Sequence, residues 1–181
     1  MLAIETVAVL GDGEAAHACA ILSALAGCAV RVHDPRPDAL DRSFEAIRFR
    51  VDVAIERGLL TRSDRQRILD GILFTPDLAE AVTGADLVLE LEDDPAAAES
   101  ELAQLTHLVR ATAALAAPSV EAALALLPVV PQPGRVLALQ ADRGSGFTRM
   151  LVLATPHTAR HTLEAVEAFA ARVNARGRHE A

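Results

Sequence analysis

The chain contains 181 residues with a formal net charge of −8, and 51% of them are hydrophobic whereas 3% are aromatic. This length suits a single domain with a core built mainly from alanine, leucine and valine. The acidic balance argues against binding to nucleic acid, which requires a basic surface. No apolar run reaches membrane-spanning length without a charge or a proline, and the N-terminal segment lacks the basic region of a signal peptide. Two cysteines without zinc-like spacing are typical of a reduced, cytoplasmic protein.

An apolar strand predicted over 6–10 leads directly into the spaced small residues Gly11, Gly13 and Ala16. Gly11 allows a tight turn out of the strand, and Gly13 lacks a Cβ that would keep a pyrophosphate from the backbone. Ala16 is small enough for the next helix, predicted over 14–26, to lie close to the sheet. That helix would direct free N–H groups and its positive dipole end toward the phosphates. The alternative is a strand, turn and helix whose glycines serve packing alone.

A second strand predicted over 29–33 ends at Asp34, about 20 residues after Gly11. A carboxylate at this place accepts hydrogen bonds from the adenosine ribose and repels a 2′-phosphate, so it selects NAD over NADP. These features together predict a dinucleotide site of the Rossmann type. Asp12 and Glu14 beside the turn favour the helix dipole but would compete with a bound pyrophosphate.

Strands and helices alternate through the rest of the chain, which predicts an α/β fold with a Rossmann-type, doubly wound, mostly parallel sheet. A two-helix insertion follows the second strand, and Thr61 and Asp64 have the spacing of a capping box for its second helix. Residues 1–176 are predicted to form one domain, followed by a polar tail at 177–181. The further predicted helices are 37–60, 61–69, 77–82, 95–110 and 158–176, and the further strands are 72–75, 85–91, 113–117, 136–139 and 150–154.

Several segments, taken in order, resemble the NAD-binding domain of the 3-hydroxyacyl-CoA dehydrogenases. They are V-A-V-L-G-D-G-E-A-A (7–16), V-R-V-H-D (30–34), R-G-L-L-T-R-S-D (57–64), I-L-F-T-P-D-L (72–78) and G-A-D-L-V-L-E (84–90). The two helices between the second and third strands are the most specific part, because an ordinary crossover is shorter. The resemblance implies NAD as the cofactor, and it adds Glu90 and Ser119 to the expected cofactor-binding residues.

The same resemblance implies a catalytic histidine directly after the strand at 135–139, oriented by a glutamate in the next strand. Gln140 occupies the histidine position, and 151–153 contain no acid. An amide cannot accept a hydroxyl proton near neutral pH, because it has no useful basicity. We therefore predict no catalytic residue here and an impaired or inactive enzyme.

Other substrate-side positions also differ from the family. Ser119 remains from an Asn-Thr-Ser-Ser segment, but the family's lysine is missing from 95–101, and Glu90 begins an acidic run over 90–94. Such a run would repel the phosphates of CoA, or it forms a solvated acidic loop. The family's all-helical second domain has no counterpart in this sequence, which leaves a homo-oligomer or a separate substrate-domain chain as the expected protein partner.

Several histidines and both cysteines have side chains that could carry chemistry. His157 and His161 have the i, i+4 spacing of metal ligands, but no third ligand is recognisable, so no metal site is predicted. His17 would either meet a phosphate or pack beside the first helix, and packing is favoured. Cys19 and Cys28 are predicted to be small buried groups, because neither has an identifiable basic partner.

The sequence therefore predicts a single-domain relative of the 3-hydroxyacyl-CoA dehydrogenases that binds NAD and is catalytically impaired. Two alternatives remain open. One is a ligand-free Rossmann scaffold that acts as an interaction module, with the alanine- and leucine-rich segment 111–130 as its apolar contact surface. The other is the cofactor half of a split dehydrogenase.

Overall fold

The computed structural model describes residues 3–92, 95–142 and 149–176. Within these residues, seven strands form one sheet. The strands are β1 (Thr6–Leu10), β2 (Ala29–His33), β3 (Ile72–Thr75), β4 (Leu87–Glu90), β5 (Ala114–Ala117), β6 (Val136–Asp142) and β7 (Arg149–Ala154). Their spatial order is β3-β2-β1-β4-β5-β6-β7. All neighbouring pairs are parallel except β6 with β7, which are antiparallel. The mostly parallel Rossmann-like sheet predicted from the sequence is confirmed.

Helices cover both faces of the sheet, as a parallel sheet requires for burial. The helices are α1 (Glu14–Leu25), α2 (Pro37–Glu56), α3 (Arg62–Gly71), α4 (Leu78–Val82), α5 (Pro95–Leu108), α6 (Val120–Leu126) and α7 (Arg160–Arg176). Buried side chains of α1, α2, α3 and α7 form one apolar core with the sheet, and those of α4, α5 and α6 form a second core on the opposite face. This two-sided arrangement leaves the carboxyl ends of β1, β2 and β4 together at one edge.

Local sequence signals determine several element boundaries. The Thr61 hydroxyl accepts from the Asp64 N–H, and the Asp64 carboxylate accepts from the Thr61 N–H, so the predicted capping box starts α3. Asp77 caps α4 in a similar way through two backbone N–H groups. Helix α2 ends at Glu56, four residues earlier than predicted, and Gly58 follows in a left-handed conformation with a φ of 75°.

The segment 111–130 differs most from its prediction. It contains β5, which is buried along its whole length, and α6, a helix that the sequence pattern did not predict. Ala123, Leu126 and Val130 lie in the second core, so these apolar side chains are not available for the predicted contact surface. Leu124 and Val129 are its exposed large apolar residues.

Two predictions concern positions outside the described residues: the polar tail at 177–181, and the acidic positions 93 and 94. Among the described helices, none has both the length and the hydrophobicity that crossing a bilayer requires.

Candidate cofactor and active site

The turn after β1 depends on a glycine. Gly11 has a φ of 107°, and its N–H donates to the carbonyl of His33 at 3.0 Å. A Cβ at this position would lie 2.7 Å from the carbonyl oxygen of Leu91, which is well inside van der Waals contact. Because this turn packs the ends of β1, β2 and β4 against each other, any larger residue would disturb all three strand ends.

The N-terminus of α1 is open to a ligand. Gly13 is its N-cap residue, and no side chain caps the helix. Its first free N–H groups therefore need an external acceptor, and a phosphate is well suited to this position. Ala16, one turn into the helix, is buried against the sheet as predicted.

Arginines of α2 and the residue before it pair with both acidic residues of this turn. The Asp12 carboxylate lies 3.4 Å from the Arg42 guanidinium and 3.6 Å from that of Arg36. The Glu14 carboxylate lies 3.1 Å from Arg50. These arginines offset the negative charge that the sequence placed beside the phosphate position.

Asp34 lies at the end of β2, as predicted, but the structure gives it an arginine partner. Its carboxylate accepts from the Arg36 backbone N–H at 2.8 Å, from Nε at 2.9 Å and from Nη2 at 2.8 Å. Burial alone would raise the pKa of Asp34, but these Arg36 hydrogen bonds hold it below its ordinary value. The Asp34 side chain is 0% exposed, whereas that of Arg36 is 55% exposed. A hydroxyl group that binds here, as predicted for the ribose, would have to share this carboxylate with Arg36 or displace the guanidinium.

Glu90 lies at the end of β4 and is buried rather than solvated. Its Oε1 accepts from the Glu92 N–H at 3.1 Å, and its Oε2 has no hydrogen-bond partner among the described residues. Burial, helped by the nearby charge of Glu101, raises the pKa of Glu90 to about 8. Because Glu90 is buried, this part of the predicted acidic run is not a solvated acidic loop.

Gln140 lies in β6, four strands along the sheet from β2 and Asp34, beside a cavity of about 300 Å³. Its Nε2 donates to the Pro118 carbonyl at 2.9 Å. The strand register places Leu151 of β7 directly opposite Gln140. The described residues that line this cavity include no histidine and no carboxylate. Cys19 also lines it, but burial raises the pKa of this thiol to about 12.

Ser119 follows the Pro118 carbonyl that holds Gln140. Its hydroxyl oxygen accepts from the Ala122 N–H at 3.1 Å and so caps α6. The backbone N–H of Glu121 and the Ser119 hydroxyl both hydrogen-bond to the Glu121 carboxylate, and these bonds hold the pKa of Glu121 below its ordinary value. The predicted role of Ser119 at the nicotinamide end stays a prediction.

Among the remaining candidates, packing accounts for His17, whose Nε2 lies 3.0 Å from the Ser43 hydroxyl in the buried contact between α1 and α2. Cys28 is buried as predicted, but the prediction that it lacks a basic partner is wrong, since Arg172 Nη2 donates to its sulfur at 3.0 Å. Burial still raises the pKa of this thiol. His157 precedes the first residue of α7 and so lies outside the helix that would align it with His161. Within the described ranges, no cluster of three metal-ligating side chains occurs.

Comparison with known proteins identifies the family. Residues 6–177 match the family model of the 3-hydroxyacyl-CoA dehydrogenase NAD-binding domain. The chain belongs to this family. NAD is therefore the cofactor of the domain, and the described residues fit it: α1 has an uncapped N-terminus, Gly11 makes the tight turn that precedes this helix, and Asp34 supplies an acceptor.

Individual relatives agree with this assignment. A 3-hydroxybutyryl-CoA dehydrogenase of Mycobacterium tuberculosis is 31% identical over 76% of this chain and 49% of its own length. A 3-hydroxyadipyl-CoA dehydrogenase of Escherichia coli K12 is 33% identical over 50% of this chain and 19% of its own. The crystal structure of M. tuberculosis FadB2 superposes with a TM-score of 0.87 at 26% identity and covers 96% of this chain and 62% of its own. The chain thus spans about half the length of the 3-hydroxybutyryl-CoA dehydrogenase.

Proposed function

We propose that this chain binds NAD and that its own described residues do not catalyse the family's hydride transfer at an appreciable rate. The observation that carries the proposal is the pair formed by Gln140 and Leu151. They face each other across β6 and β7, and the family resemblance expects a histidine at 140 and its glutamate within 151–153, which contain no acid.

A base is needed at this position because the family's reaction releases a proton. Oxidation of a 3-hydroxyacyl group sends a hydride to NAD and releases the hydroxyl proton to a base. The Gln140 amide donates one N–H to Pro118, and its carbonyl oxygen can accept a hydrogen bond but cannot hold a proton near neutral pH. Removal of a general base costs about 10²–10⁴ in rate.

Glu90 does not supply a replacement base for that proton. Burial raises its pKa to about 8, which lies within the useful range of a general base, so its position decides the question. Its charge interaction with Glu101 places it toward α5, while the neighbouring Leu91 lines the Gln140 cavity. Val88, two residues earlier in β4, lies in the second core with residues of α5, and residues two apart in a strand share a face, so the Glu90 carboxyl group lies on the α5 face of the sheet.

A second candidate function is the cofactor half of a two-chain dehydrogenase. Its support is an apolar surface on β7, where Leu151 is 47% exposed and Leu153 is 40% exposed. Leu151 and Leu153 are two residues apart, so their side chains lie on the same face of the strand. Leu151 also lines the Gln140 cavity. A helical substrate domain, or a second copy of this chain, would bury these side chains next to the nicotinamide end.

The two free cysteines support the predicted reducing, cytoplasmic compartment.

Calorimetric titration with NAD tests the binding half of the proposal. We expect measurable heat at micromolar to high micromolar NAD, and a marked loss of affinity in Asp34→Arg, which replaces the ribose acceptor. Absence of heat with the unchanged chain would contradict NAD binding, and unchanged affinity in Asp34→Arg would show that another acid holds the ribose.

Turnover with 3-hydroxyacyl-CoA substrates of several acyl lengths tests the catalytic half. We expect no NADH formation above the background of the substrate and cofactor alone. Size-exclusion chromatography with light scattering on the same sample tests the two-chain alternative. Steady turnover by a monodisperse monomer would contradict both the catalytic proposal and the need for a partner.

A further inference from the structure

Arg36, rather than Asp34, forms the surface at the end of β2. The Asp34 side chain has no exposed area, whereas that of Arg36 is more than half exposed. Arg36 covers the Asp34 carboxylate with two guanidinium hydrogen bonds and one from its backbone N–H. A ligand that approaches this end of the strand therefore meets a guanidinium before it meets the carboxylate.

The Asp34 carboxylate has little acceptor capacity left for a ligand. An ionised carboxylate has about four lone-pair sites. Arg36 occupies two of them on Oδ1, through its backbone N–H and Nε, and one on Oδ2, through Nη2. The remaining site has to serve both hydroxyls of an adenosine ribose. Full use of Asp34 by the ribose of NAD therefore requires the guanidinium to move away.

The guanidinium of Arg36 keeps a second edge for an incoming anion. Its Nε and Nη2 face Asp34, and the edge formed by Nη1 and Nη2 carries parallel N–H groups that match two oxygens of a phosphate. The Asp12 carboxylate lies 3.6 Å from Nη2, which is too long for a strong hydrogen bond. A phosphate on this edge would leave the pairing with Asp34 in place.

The acids near this guanidinium do not occupy that edge. Asp12 and Glu92 are the acids beyond Asp34 whose negative charges act on Arg36. Asp12 is also paired with Arg42, at 3.4 Å. Charges on the surface are screened by salt, whereas a direct bidentate contact between a guanidinium and a phosphate is short and strong. The direct contact therefore outweighs the repulsion from these acids.

NADP differs from NAD by a phosphate on the 2′-hydroxyl of the adenosine ribose. We propose that Arg36 binds this 2′-phosphate, so that the chain accepts NADP as well as NAD. A carboxylate alone at position 34 would repel the phosphate, but here Arg36 covers and neutralises it. With NADP the guanidinium gains an anion and stays on Asp34, whereas with NAD it has to share or release that carboxylate. The inference rests on the dinucleotide binding proposed above.

Calorimetric titrations with NAD and NADP test this assignment. We expect the unchanged chain to bind NADP less than about 10-fold more weakly than NAD. Arg36→Gln keeps an amide donor for Asp34 and removes the cation, so it should shift the preference against NADP by at least about 10-fold. Arg48→Gln is the matched control, because Arg48 is an exposed arginine of α2 that pairs with Glu45. It should keep the preference of the unchanged chain.

The salt dependence of the two affinities is a second measurement that needs no variant. If Arg36 holds the 2′-phosphate, added sodium chloride screens one more ion pair in the NADP complex than in the NAD complex. The NADP affinity should therefore fall more steeply than the NAD affinity. A phosphate that the surrounding acids repel would give the opposite trend, because salt would screen the repulsion.

Three results would overturn the assignment while NAD binding itself stands. They are NADP binding about 10-fold or more weaker than NAD binding, a shift smaller than about 10-fold in Arg36→Gln, and an NADP affinity that does not fall more steeply with salt. If the unchanged chain binds neither dinucleotide, the NAD-binding proposal fails instead. That result is distinct from binding of NAD alone.

Discussion

The proposed cofactor site has two ends, one around Asp34 and the start of α1 and the other around Gln140, and they differ in the polarity of their side chains. At the adenosine end, polar groups converge: the Asp34 carboxylate accepts three hydrogen bonds from Arg36, and the start of α1 has no side-chain cap. At the opposite end, the Gln140 cavity is lined mostly by apolar side chains, and Leu151 lies across from Gln140. Under the proposed function, cofactor binding and catalysis depend on separate residues of one sheet, so one set can change without the other.

The difference has a physical cause. The adenosine end is tied to the fold, because the conformation of Gly11 and its hydrogen bond to His33 hold the ends of β1 and β2 together. Gln140 and Leu151 lie in antiparallel strands whose backbone pairing accepts any residue without special dihedral angles. The absence of a histidine and a glutamate there, as proposed above, would therefore leave the sheet intact.

The largest expected effect comes from Gly11→Ala. The substitution combines a positive φ with a Cβ contact to the Leu91 carbonyl, and we expect it to lower the unfolding free energy by about 4 kcal/mol and to abolish NAD binding. Gly27→Ala is the control, since Gly27 also has a positive φ, of 85°, but a Cβ there would meet no atom within 4 Å. Chemical denaturation that gives equal losses for both variants would show that the Leu91 contact does not matter.

The next effect concerns Glu90 and is pH-dependent. Its pKa is raised from 4.5 to about 8, so its contribution to stability is fully present below pH 4.5 and is lost as the pH rises through 8. Glu90→Gln removes the ionisation and should stabilise the chain on the order of 3 kcal/mol at pH 9 but little at pH 4.5. Denaturation at both pH values measures the difference, with the exposed Glu45→Gln as control. A pH-independent difference would contradict the buried position of Glu90.

Local patterns in the sequence predicted the parts of the fold that local chemistry decides. The turn at Gly11, the capping box of Thr61 and Asp64 and most of the strands follow from residues close together in the chain. The partners of Glu90 and Cys28 could not be found in this way. Glu101 and Arg172 reach them only after the sheet has brought distant elements together.

Two further differences have separate causes. In segment 111–130, a continuous apolar composition does not distinguish a buried strand and helix from an exposed surface, so the sequence pattern does not predict α6. Arg36, two residues after Asp34, was within reach of sequence reasoning, because an arginine so close to a carboxylate commonly pairs with it.

Asp34→Asn should weaken NAD binding about 30-fold, or about 2 kcal/mol, because the amide accepts ribose hydrogen bonds without charge. Asp38→Asn, at an exposed aspartate that pairs with Arg42, should leave the affinity unchanged. Calorimetry on the two variants sharpens the comparison at the adenosine end. Equal weakening in both would indicate that general charge, rather than the Asp34 acceptor, governs binding.

The smallest expected effects lie at the Gln140 end. Gln140→His alone should change NAD affinity by less than about 2-fold and should not produce turnover, since the new imidazole has no carboxylate beside it. Adding Leu151→Glu places an acid directly across the strand pair. We expect nuclear magnetic resonance titration to show a higher pKa for the introduced imidazole in the double variant than in the single one. Identical titration curves would show that positions 140 and 151 do not meet as the register indicates.

One fluorescence record of NADH tests the separation of binding from catalysis most directly. The protein is mixed with NADH and then with excess acetoacetyl-CoA. Gly13→Val serves as the control. Gly13 has an extended backbone with a φ of −78°, which valine adopts without strain. We predict that NADH fluorescence increases on mixing, that this increase is lost in Gly13→Val, and that the signal stays constant after acetoacetyl-CoA is added. A decay of the NADH signal faster than about one turnover per second would contradict the account, because it would require a catalytic group that the described residues around Gln140 do not provide.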